Sequence, residues 1–185
     1  MSTNTRCPWV GKLPIYIDSH EKEWGKPQFD SQKLFEKICL EGQQAGLSWI
    51  TVLKKREAYR AAFHQFDPAK IAQMTEQDID HCMENTGLIR HRAKLAAIVK
   101  NAKAYLAMEK CGENFSDFVW SFVNHQPIIN DVPDISVVPA RTETSKAMSK
   151  ALKKRGFVFV GETTCYAFMQ SVGLVNDHIN GCCCK

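Results

Sequence analysis

Apolar and polar residues repeat with helical spacing along most of this chain of 185 residues. Apolar positions recur three and four residues apart, so each segment would turn one face toward a core. Residues typical of helix starts and stops separate these segments. The pattern predicts helices over about 15–24, 48–65, 68–74, 92–110, from 144 or 145 to 155, and 163–172. Three further helices are predicted to start at caps, at Asp30 or Ser31, at Thr75 and at Ser116.

The segments between the predicted helices are corners and loops. Gly46 and Leu47 form a two-residue corner, and Ser48 is predicted to cap the helix that follows. Residues 6–29 are rich in aromatic residues, proline and glycine, which is typical of a structured loop region. Residues 125–143 carry three prolines and no periodicity, so they are predicted to form a long surface loop. The chain is therefore expected to be all-α and to form one domain.

Composition is that of an ordinary globular protein, with 44% hydrophobic and 24% charged residues. No apolar run approaches the roughly 20 residues that cross a bilayer. Residues 1–6 are not followed by the apolar stretch of a secretory signal. We therefore expect a cytoplasmic protein with no membrane partner. The net charge of +4 favours a polyanionic partner only mildly.

The eight cysteines fall into two groups. Four of them lie within or beside helical patterns and are predicted to be small buried hydrophobic residues: Cys39, Cys82, Cys111 and Cys165. The other four, Cys7 and the run 182–184, stand near the two ends of the chain. In a cytoplasmic protein, clustered cysteines indicate metal binding more often than disulfides.

A zinc site is one interpretation of these terminal residues. His178 and Cys182 are four residues apart, and Cys7 and His20 would complete a Cys2His2 set. Four such ligands make a closed, structural zinc site. A catalytic zinc is disfavoured because the chain has no His-Glu-x-x-His sequence. The alternative is that the cysteine run is a disordered tail and that His20 lies on the surface.

A basic hairpin is predicted between two helices. Gly87 is followed by Arg90, His91 and Arg92 at the start of the next helix. Backbone N–H groups and cations at such a position can bind a phosphate. A single glycine is a weak signal, so an ordinary helix–helix corner with exposed basic residues is an equal alternative.

An acid and several aromatic residues form a third candidate site: Glu41, Trp49, Tyr16, Trp9 and Trp24. Aromatic walls and one carboxylate make a pocket for a flat, electron-poor or cationic ring. The alternative is that Glu41 is a solvated surface acid and that the aromatic residues fill the core.

Five stretches together resemble one known family. The longest, 40–56, reads LEGQQAGLSWITVLKKR, and the others are RCPW at 6–9, HEKEWG at 20–25, FVWSFVNH at 118–125 and GLVNDH at 173–178. They resemble the 3-methyladenine DNA glycosylase I family of the helix-hairpin-helix glycosylase superfamily. The match runs in order from about residue 6 to residue 184.

The resemblance implies a helix-hairpin-helix fold of two helical lobes, with residues 1–185 forming a single DNA glycosylase domain. It implies one structural zinc ion that joins the termini, 6–24 and 174–184, through Cys7, His20, His178 and Cys182. It implies Glu41 as the acidic, catalytic residue of a base pocket lined by Trp49, Tyr16, Trp9 and Trp24. It implies Gly46 and Leu47 as a wedge in DNA, and a phosphate-binding hairpin with Gly87, Arg90 and Arg92.

The activity implied by the resemblance is hydrolysis of the N-glycosidic bond of 3-methyladenine in double-stranded alkylated DNA, after base flipping. Free 3-methyladenine would be the product, the enzyme would be a monomer, and the DNA strand would not be cut. Ser19 departs from the family pattern, in which this position often carries a second aromatic residue. Two other hypotheses are a zinc-containing DNA-binding module without catalysis and an intracellular zinc hydrolase, which would need an open metal position.

Overall fold

The computed structural model describes residues 5–185. Residues 1–4, which include most of the stretch compared with a secretory signal and the start of the predicted domain 1–185, lie outside the described residues. The helices are α1 (Pro14–Lys22), α2 (Ser31–Gln43), α3 (Trp49–Ala62), α4 (Pro68–Ile71), α5 (Glu76–Glu84), α6 (Arg92–Lys110), α7 (Phe115–Ser121), α8 (Glu143–Lys154) and α9 (Glu162–Ser171). Short 3-10 turns cover Pro8–Val10 and Ile135–Val137, and a left-handed turn covers His64–Phe66. The prediction of a mostly helical chain is confirmed.

Two predicted helix caps are confirmed by their hydrogen bonds. The Asp30 carboxylate accepts a bond from the backbone N–H of Lys33 at 2.9 Å. Thr75 and Asp78 bond each other's backbone N–H groups, which is a capping box. Ser48 also stands at the cap position of α3, but its hydroxyl bonds the Thr51 hydroxyl rather than a backbone N–H. These caps begin helices at positions that local sequence alone indicates.

Two helix starts were predicted at the wrong residue. Asn114, and not Ser116, caps α7 by accepting a bond from the N–H of Asp117. Thr142 caps α8 in a capping box with Ser145, two or three residues before the predicted start. Several polar residues in a row can serve as a cap, and the packing of the helix selects among them.

Helix α1 ends at Lys22, two residues before the predicted end, and two further helices end three residues early. α3 ends at Ala62 instead of residue 65 because residues 64–66 have φ values between 52° and 57°, which no right-handed helix allows. This left-handed turn brings Phe66 into the core. α4 ends at Ile71 instead of Met74. At the C-terminus of α9, Gly173 has φ of +78°, as expected for the predicted stop.

The core is organised around α2, which contacts α3, α6, α7 and α9. Its buried face includes Leu34, Phe35 and Ile38, which are fully inaccessible to solvent. Three of the four cysteines predicted to be buried are buried, but Cys111 is exposed because it follows the last residue of α6. A second, smaller apolar cluster joins the two ends of the chain around Cys7, Val10 and Cys182.

The segment 125–143 is more ordered than the predicted surface loop. Within it, β1 (Ile128–Ile129) pairs in parallel with β2 (Val175–Asn176), a contact between positions almost 50 residues apart. Asn130 donates a side-chain hydrogen bond to Asp177 at 2.7 Å. Most of the segment is exposed and irregular, as predicted, but the prediction did not include this strand pair, because pairing with a distant segment is not revealed by periodicity. No helix within residues 5–185 combines the length and apolar character needed to cross a membrane.

Candidate functional site

The acid and the aromatic residues singled out in the sequence line one cavity. It has a volume of about 240 Å³ and is lined by Trp9, Tyr16, Trp24, Glu41, Gln44, Trp49, Ile135, Val138, Ala167 and Gln170. We call this cavity the base pocket, after the ligand that the family resemblance implies for it. Three helices place the main groups, since Tyr16 lies on α1, Glu41 near the end of α2 and Trp49 at the start of α3.

Edge-to-face and tilted contacts hold the aromatic walls in place. The ring centroids of Trp9 and Trp24 are 5.0 Å apart, and those of Trp9 and Tyr16 are 5.1 Å apart. The indole N–H of Trp49 donates to the hydroxyl of Ser19 at 3.4 Å. The residue that departs from the family pattern thus contacts a wall of the pocket. Tilted rings in mutual contact leave little freedom to move, so the walls are preorganised for a flat ligand.

Glu41 is the buried acid of this pocket. It is 4% exposed, so the alternative of a solvated surface acid is wrong. Burial raises the pKa of Glu41 to about 7, although the charge of Lys37 and the hydroxyl of Ser171 oppose this rise. A carboxyl group in this state exchanges its proton near neutral pH. Such a perturbed acid in a cleft is the kind of group that functional sites use.

Five pocket residues were not assigned there from the sequence. Ile135 and Val138 come from the segment 125–143, where no periodicity marked them. Ala167 and Gln170 are three residues apart on α9 and so lie on one helix face. Gln44 stands next to Gln43, and only the structure separates the two. Gln43 is buried and bonds Tyr59 and the Lys94 carbonyl, whereas Gln44 lines the pocket.

The corner between α2 and α3 projects an apolar side chain beside the pocket. Gly46 has φ of +79°, which the tight turn requires. Leu47 is 42% exposed and lines a smaller cavity that shares Glu41, Gln44 and Ala167 with the base pocket. Lys94 donates to the carbonyls of Gln43 and Ala45 and so fixes the start of the corner. An exposed leucine is thus held next to the pocket mouth.

The predicted basic hairpin lies between α5 and α6. The N–H of Gly87 bonds the Asn85 side chain at 2.8 Å, which tightens the turn. Arg90 is exposed and has no ion-pair partner among residues 5–185. Arg92, in contrast, pairs with Glu76 at 2.7 Å and with Asp80. Of the two arginines predicted to contact DNA, only Arg90 has a free charge among the described residues.

The four predicted metal ligands lie together and are all buried. The ligating atoms of Cys7, His20, His178 and Cys182 are all within 4.8 Å of one another. Nδ1 of His178 is 3.6 Å from Sγ of Cys7 and 3.5 Å from Sγ of Cys182, and Nε2 of His20 is 3.6 Å from Sγ of Cys182. A tetrahedral zinc ion with usual bond lengths would separate its sulfur and nitrogen ligands by about 3.6 Å. The cluster therefore has the dimensions of a metal site.

The surroundings of the cluster also suit a metal. Nε2 of His178 is 2.9 Å from the Trp24 carbonyl, which leaves Nδ1 free to act as a ligand. Burial lowers the pKa of His20 to about 4, so its ring is neutral at pH 7. Burial raises the pKa of Cys7 to about 11, so a cation would be needed to hold its thiolate. Cys183 and Cys184 lie outside this set of four.

The fold is helical, a buried acid lies in an aromatic pocket, and the hairpin between α5 and α6 carries Arg90, a cation that is unpaired within residues 5–185. These features are typical of a class of protein that binds a flat heterocycle. The family model described as methyladenine glycosylase matches residues 9–185. The chain therefore belongs to the methyladenine glycosylase family.

Known relatives resemble the chain over nearly its whole length. The DNA-3-methyladenine glycosylase of Haemophilus influenzae is 82% identical over 181 residues, covering 98% of each chain. DNA-3-methyladenine glycosylase 1 of Escherichia coli is 64% identical, covering 97% of this chain and 96% of the relative. A solved structure of a variant 3-methyladenine DNA glycosylase I in complex with 3-methyladenine is 43% identical, with a TM-score of 0.94 and 97% of each chain covered.

The raised pKa of Glu41 makes a prediction about folding stability. Between pH 4.5, the ordinary pKa, and about 7, the folded protein keeps a proton that the unfolded chain has released, so stability falls as pH rises. Glutamine does not titrate, so Glu41→Gln should not lose stability in this way. At pH 8 we expect the free energy of unfolding of the variant to exceed that of the wild type by on the order of 3 kcal/mol. At pH 5 the two should differ little. Thermal melts at both pH values measure this.

The control for this measurement is Glu84→Gln, which neutralises an exposed acid at the end of α5. It should change stability by less than about 0.5 kcal/mol at either pH. A Glu41→Gln variant that is less stable than the wild type at pH 8 would show that the carboxylate supports the fold.

Proposed function

We propose that this protein is a monofunctional DNA glycosylase that hydrolyses the N-glycosidic bond of 3-methyladenine in double-stranded alkylated DNA, as a step of base excision repair. The observation that carries the proposal is the buried Glu41 carboxyl among the rings of Trp49, Tyr16, Trp9 and Trp24. Its relatives are glycosylases for this base, and a solved relative holds the free base. The products are DNA with an abasic site and free 3-methyladenine.

Recognition follows from the chemistry of the alkylated base. Methylation at N3 makes the base cationic in the nucleotide and weakens its bond to the sugar. The rings attract a flat cation through their faces, and the Glu41 carboxylate accepts hydrogen bonds from the amino edge of the base. An adenine without the methyl group is neutral and gains less from either interaction.

The reaction then needs only water. The bond between the sugar carbon and N9 breaks, its electron pair neutralises the base, and a water oxygen bonds to the sugar carbon while its proton passes to solvent. Among the described residues that line the base pocket there is no lysine. A lysine nucleophile would be required for strand cleavage through a Schiff base. The pocket therefore supports hydrolysis without cleavage of the DNA strand.

The target nucleotide must leave the DNA stack to reach the pocket, as for other enzymes that act on bases. Leu47, exposed on the rigid corner after Gly46, is suited to fill the gap left in the duplex. The hairpin of the helix-hairpin-helix motif, from Gly87 to Arg92, offers backbone N–H groups and the free charge of Arg90 to a phosphate. Arg92 would first have to leave Glu76 and Asp80.

A structural zinc ion completes the proposal. Cys7, His20, His178 and Cys182 would hold it, and the ion would link the two ends of the chain without taking part in hydrolysis. We also propose that the protein acts as a monomer in the cytoplasm. None of its eight cysteines, all of which lie within the described residues, forms a disulfide, which supports a reducing compartment.

The main test is the effect of Glu41→Gln on base release. Glutamine keeps the size of the side chain but removes the charge-assisted part of the hydrogen bonds, which is worth about 1–3 kcal/mol. Single-turnover release of 3-methyladenine from methylated duplex DNA should slow by roughly ten- to a hundredfold. Duplex affinity should change little, because phosphate contacts dominate it. If the wild type binds DNA but releases no base, the protein is a binding module.

A second test concerns Ile135, which lines the base pocket from the segment 125–143. Ile135→Ala should weaken binding of free 3-methyladenine by roughly five- to tenfold, because about 1 kcal/mol of apolar contact is lost. Ile129→Ala is the matched control, since Ile129 lies on the same segment, is more exposed and does not line the pocket. Equal effects of the two variants on calorimetric titration would remove Ile135 from the site.

A third test concerns the metal. Metal analysis of the purified wild type should give one zinc per chain. Cys182→Ser should lose the ion and at least about 4 kcal/mol of stability, since the metal joins distant segments. Cys183→Ser is the control and should keep the zinc, because the Cys183 thiol is exposed. Zinc retained in Cys182→Ser but lost in Cys184→Ser would show that Cys184 is the ligand.

A further inference from the structure

A partly buried cation next to the base pocket, Lys37, has no part in the proposed reaction. Lys37 lies on α2, one helical turn before Glu41, and its side chain is 14% exposed. Its ammonium is 3.3 Å from the Glu23 carboxylate. The same carboxylate also holds Arg56 through two hydrogen bonds of 2.7 and 3.0 Å. A lysine with so little exposure is uncommon unless it is paired, which suggests that Lys37 has a role here.

Lys37 also contacts a wall of the pocket without lining it. Its Nζ lies 4.5 Å from the centroid of the Trp49 ring, within the range of a cation–π interaction. Trp49 lines the base pocket, whereas Lys37 lines a separate cavity of about 330 Å³ together with Glu23 and Arg56. One ammonium group therefore acts on the pocket from behind the Trp49 ring.

The groups that face Glu41 show why this charge matters. α9 presents the uncharged side chains of Gln170 and Ser171, α1 presents the phenol of Tyr16, and α3 presents the Trp49 ring. From α6, Lys94 is bonded to backbone carbonyls at the end of α2. Lys37 is the charged group that opposes the effect of burial on the Glu41 carboxyl.

The charge of Lys37 is itself maintained by its neighbours. Burial lowers the pKa of Lys37, and the carboxylates of Glu23 and Glu41 oppose that change while Arg56 adds to it. Because Arg56 also pairs with Glu23, the Glu23 carboxylate would keep a cationic partner if Lys37 were neutral. A change at Lys37 is thus expected to alter the pocket more than the fold.

We propose that Lys37 is a positioning residue for base recognition, whose ammonium favours the anionic form of the Glu41 carboxyl group one helical turn away and holds the Trp49 ring in its stacking position. This inference rests on the proposed function of the base pocket. It extends that function because the charge of Lys37 would act on Glu41, one turn later on α2, and so affect how the base is recognised.

The consequence is a specific dependence on pH. The pKa of Glu41 is about 7 with Lys37 present. Loss of an opposite charge nearby raises the pKa of a carboxyl group, often by one unit or more. Without Lys37, Glu41 would be mostly protonated at pH 7 and would regain its charge only at higher pH. A neutral carboxyl group is a weaker hydrogen-bond acceptor for the amino edge of the base.

The experiment compares the wild type with Lys37→Met, in which methionine keeps much of the side-chain volume without the charge. Binding of free 3-methyladenine is titrated by calorimetry between pH 6 and pH 9. We expect Lys37→Met to bind roughly tenfold more weakly at pH 7 and to recover most of this loss at pH 9, where the missing contact with Trp49 accounts for the remainder. The titration of the ligand itself is common to both proteins and cancels in the ratio. Lys37→Arg, which keeps the charge, should bind within about threefold of the wild type at pH 7.

The matched control is Lys33→Met, one turn earlier on the same helix. Lys33 is exposed and lines the same cavity of about 330 Å³ as Lys37, but it does not contact Trp49. The affinity of Lys33→Met for free 3-methyladenine should equal that of the wild type at every pH. A loss in Lys37→Met that is equal at all pH values would overturn the electrostatic role, and no loss at all would overturn the whole inference.

A second measurement does not depend on ligand binding. The carbon NMR signal of the Glu41 carboxyl, followed against pH in the protein alone, should titrate at a higher pH in Lys37→Met than in the wild type. An unchanged midpoint would overturn the inference even if affinity fell. Failure of the wild type to bind 3-methyladenine, with a shifted Glu41 midpoint in the variant, would instead overturn the proposed function and leave the Lys37–Glu41 interaction standing.

Discussion

The burial of the Glu41 carboxyl group is the constraint on which the rest of the site depends. A buried charge costs far more free energy than a solvated one unless other groups compensate it. The core helix α2 carries Glu41 inside the protein, so the acid cannot move out to water. The site compensates only in part, through Lys37 and Ser171, and the pKa stays near 7. Under the proposed function, a cationic base would supply the remaining compensation.

The fold could be predicted from the sequence where local chemistry decides it. Asp30 and Thr75 begin helices because their side chains satisfy backbone N–H groups within the next turn, and neither needs the rest of the protein. The left-handed turn at residues 64–66 could not be predicted, because its backbone is held by the packing of Phe66 in the core. Pairing of β1 with β2 joins residues far apart in sequence, and no local pattern encodes it.

The candidate site divides in the same way. The residues with distinctive chemistry could be chosen from the sequence by type and by the family resemblance, and the structure brings them to one pocket and one cluster. Ile135 and Val138 could not be chosen from the sequence, because an isolated apolar residue in an aperiodic segment does not indicate a site. Their position is set from outside, by hydrogen bonds that tie Val132 to Asn180 and Asn130 to Asp177. Lys37 was missed because a lysine on a helix is usually exposed.

The Cys2His2 cluster and the base pocket are in direct contact, because two aromatic residues that line the pocket also touch the two histidines of the cluster. Trp24 lines the pocket, and its backbone carbonyl is 2.9 Å from Nε2 of His178. Trp9 lines the pocket and packs edge-on against His20, with centroids 5.3 Å apart. Gly25 is glycine for the same reason, since a Cβ atom there would lie 2.8 Å from the His178 ring. The two ends of the chain, which the cluster joins, thereby position two of the aromatic walls that face Glu41.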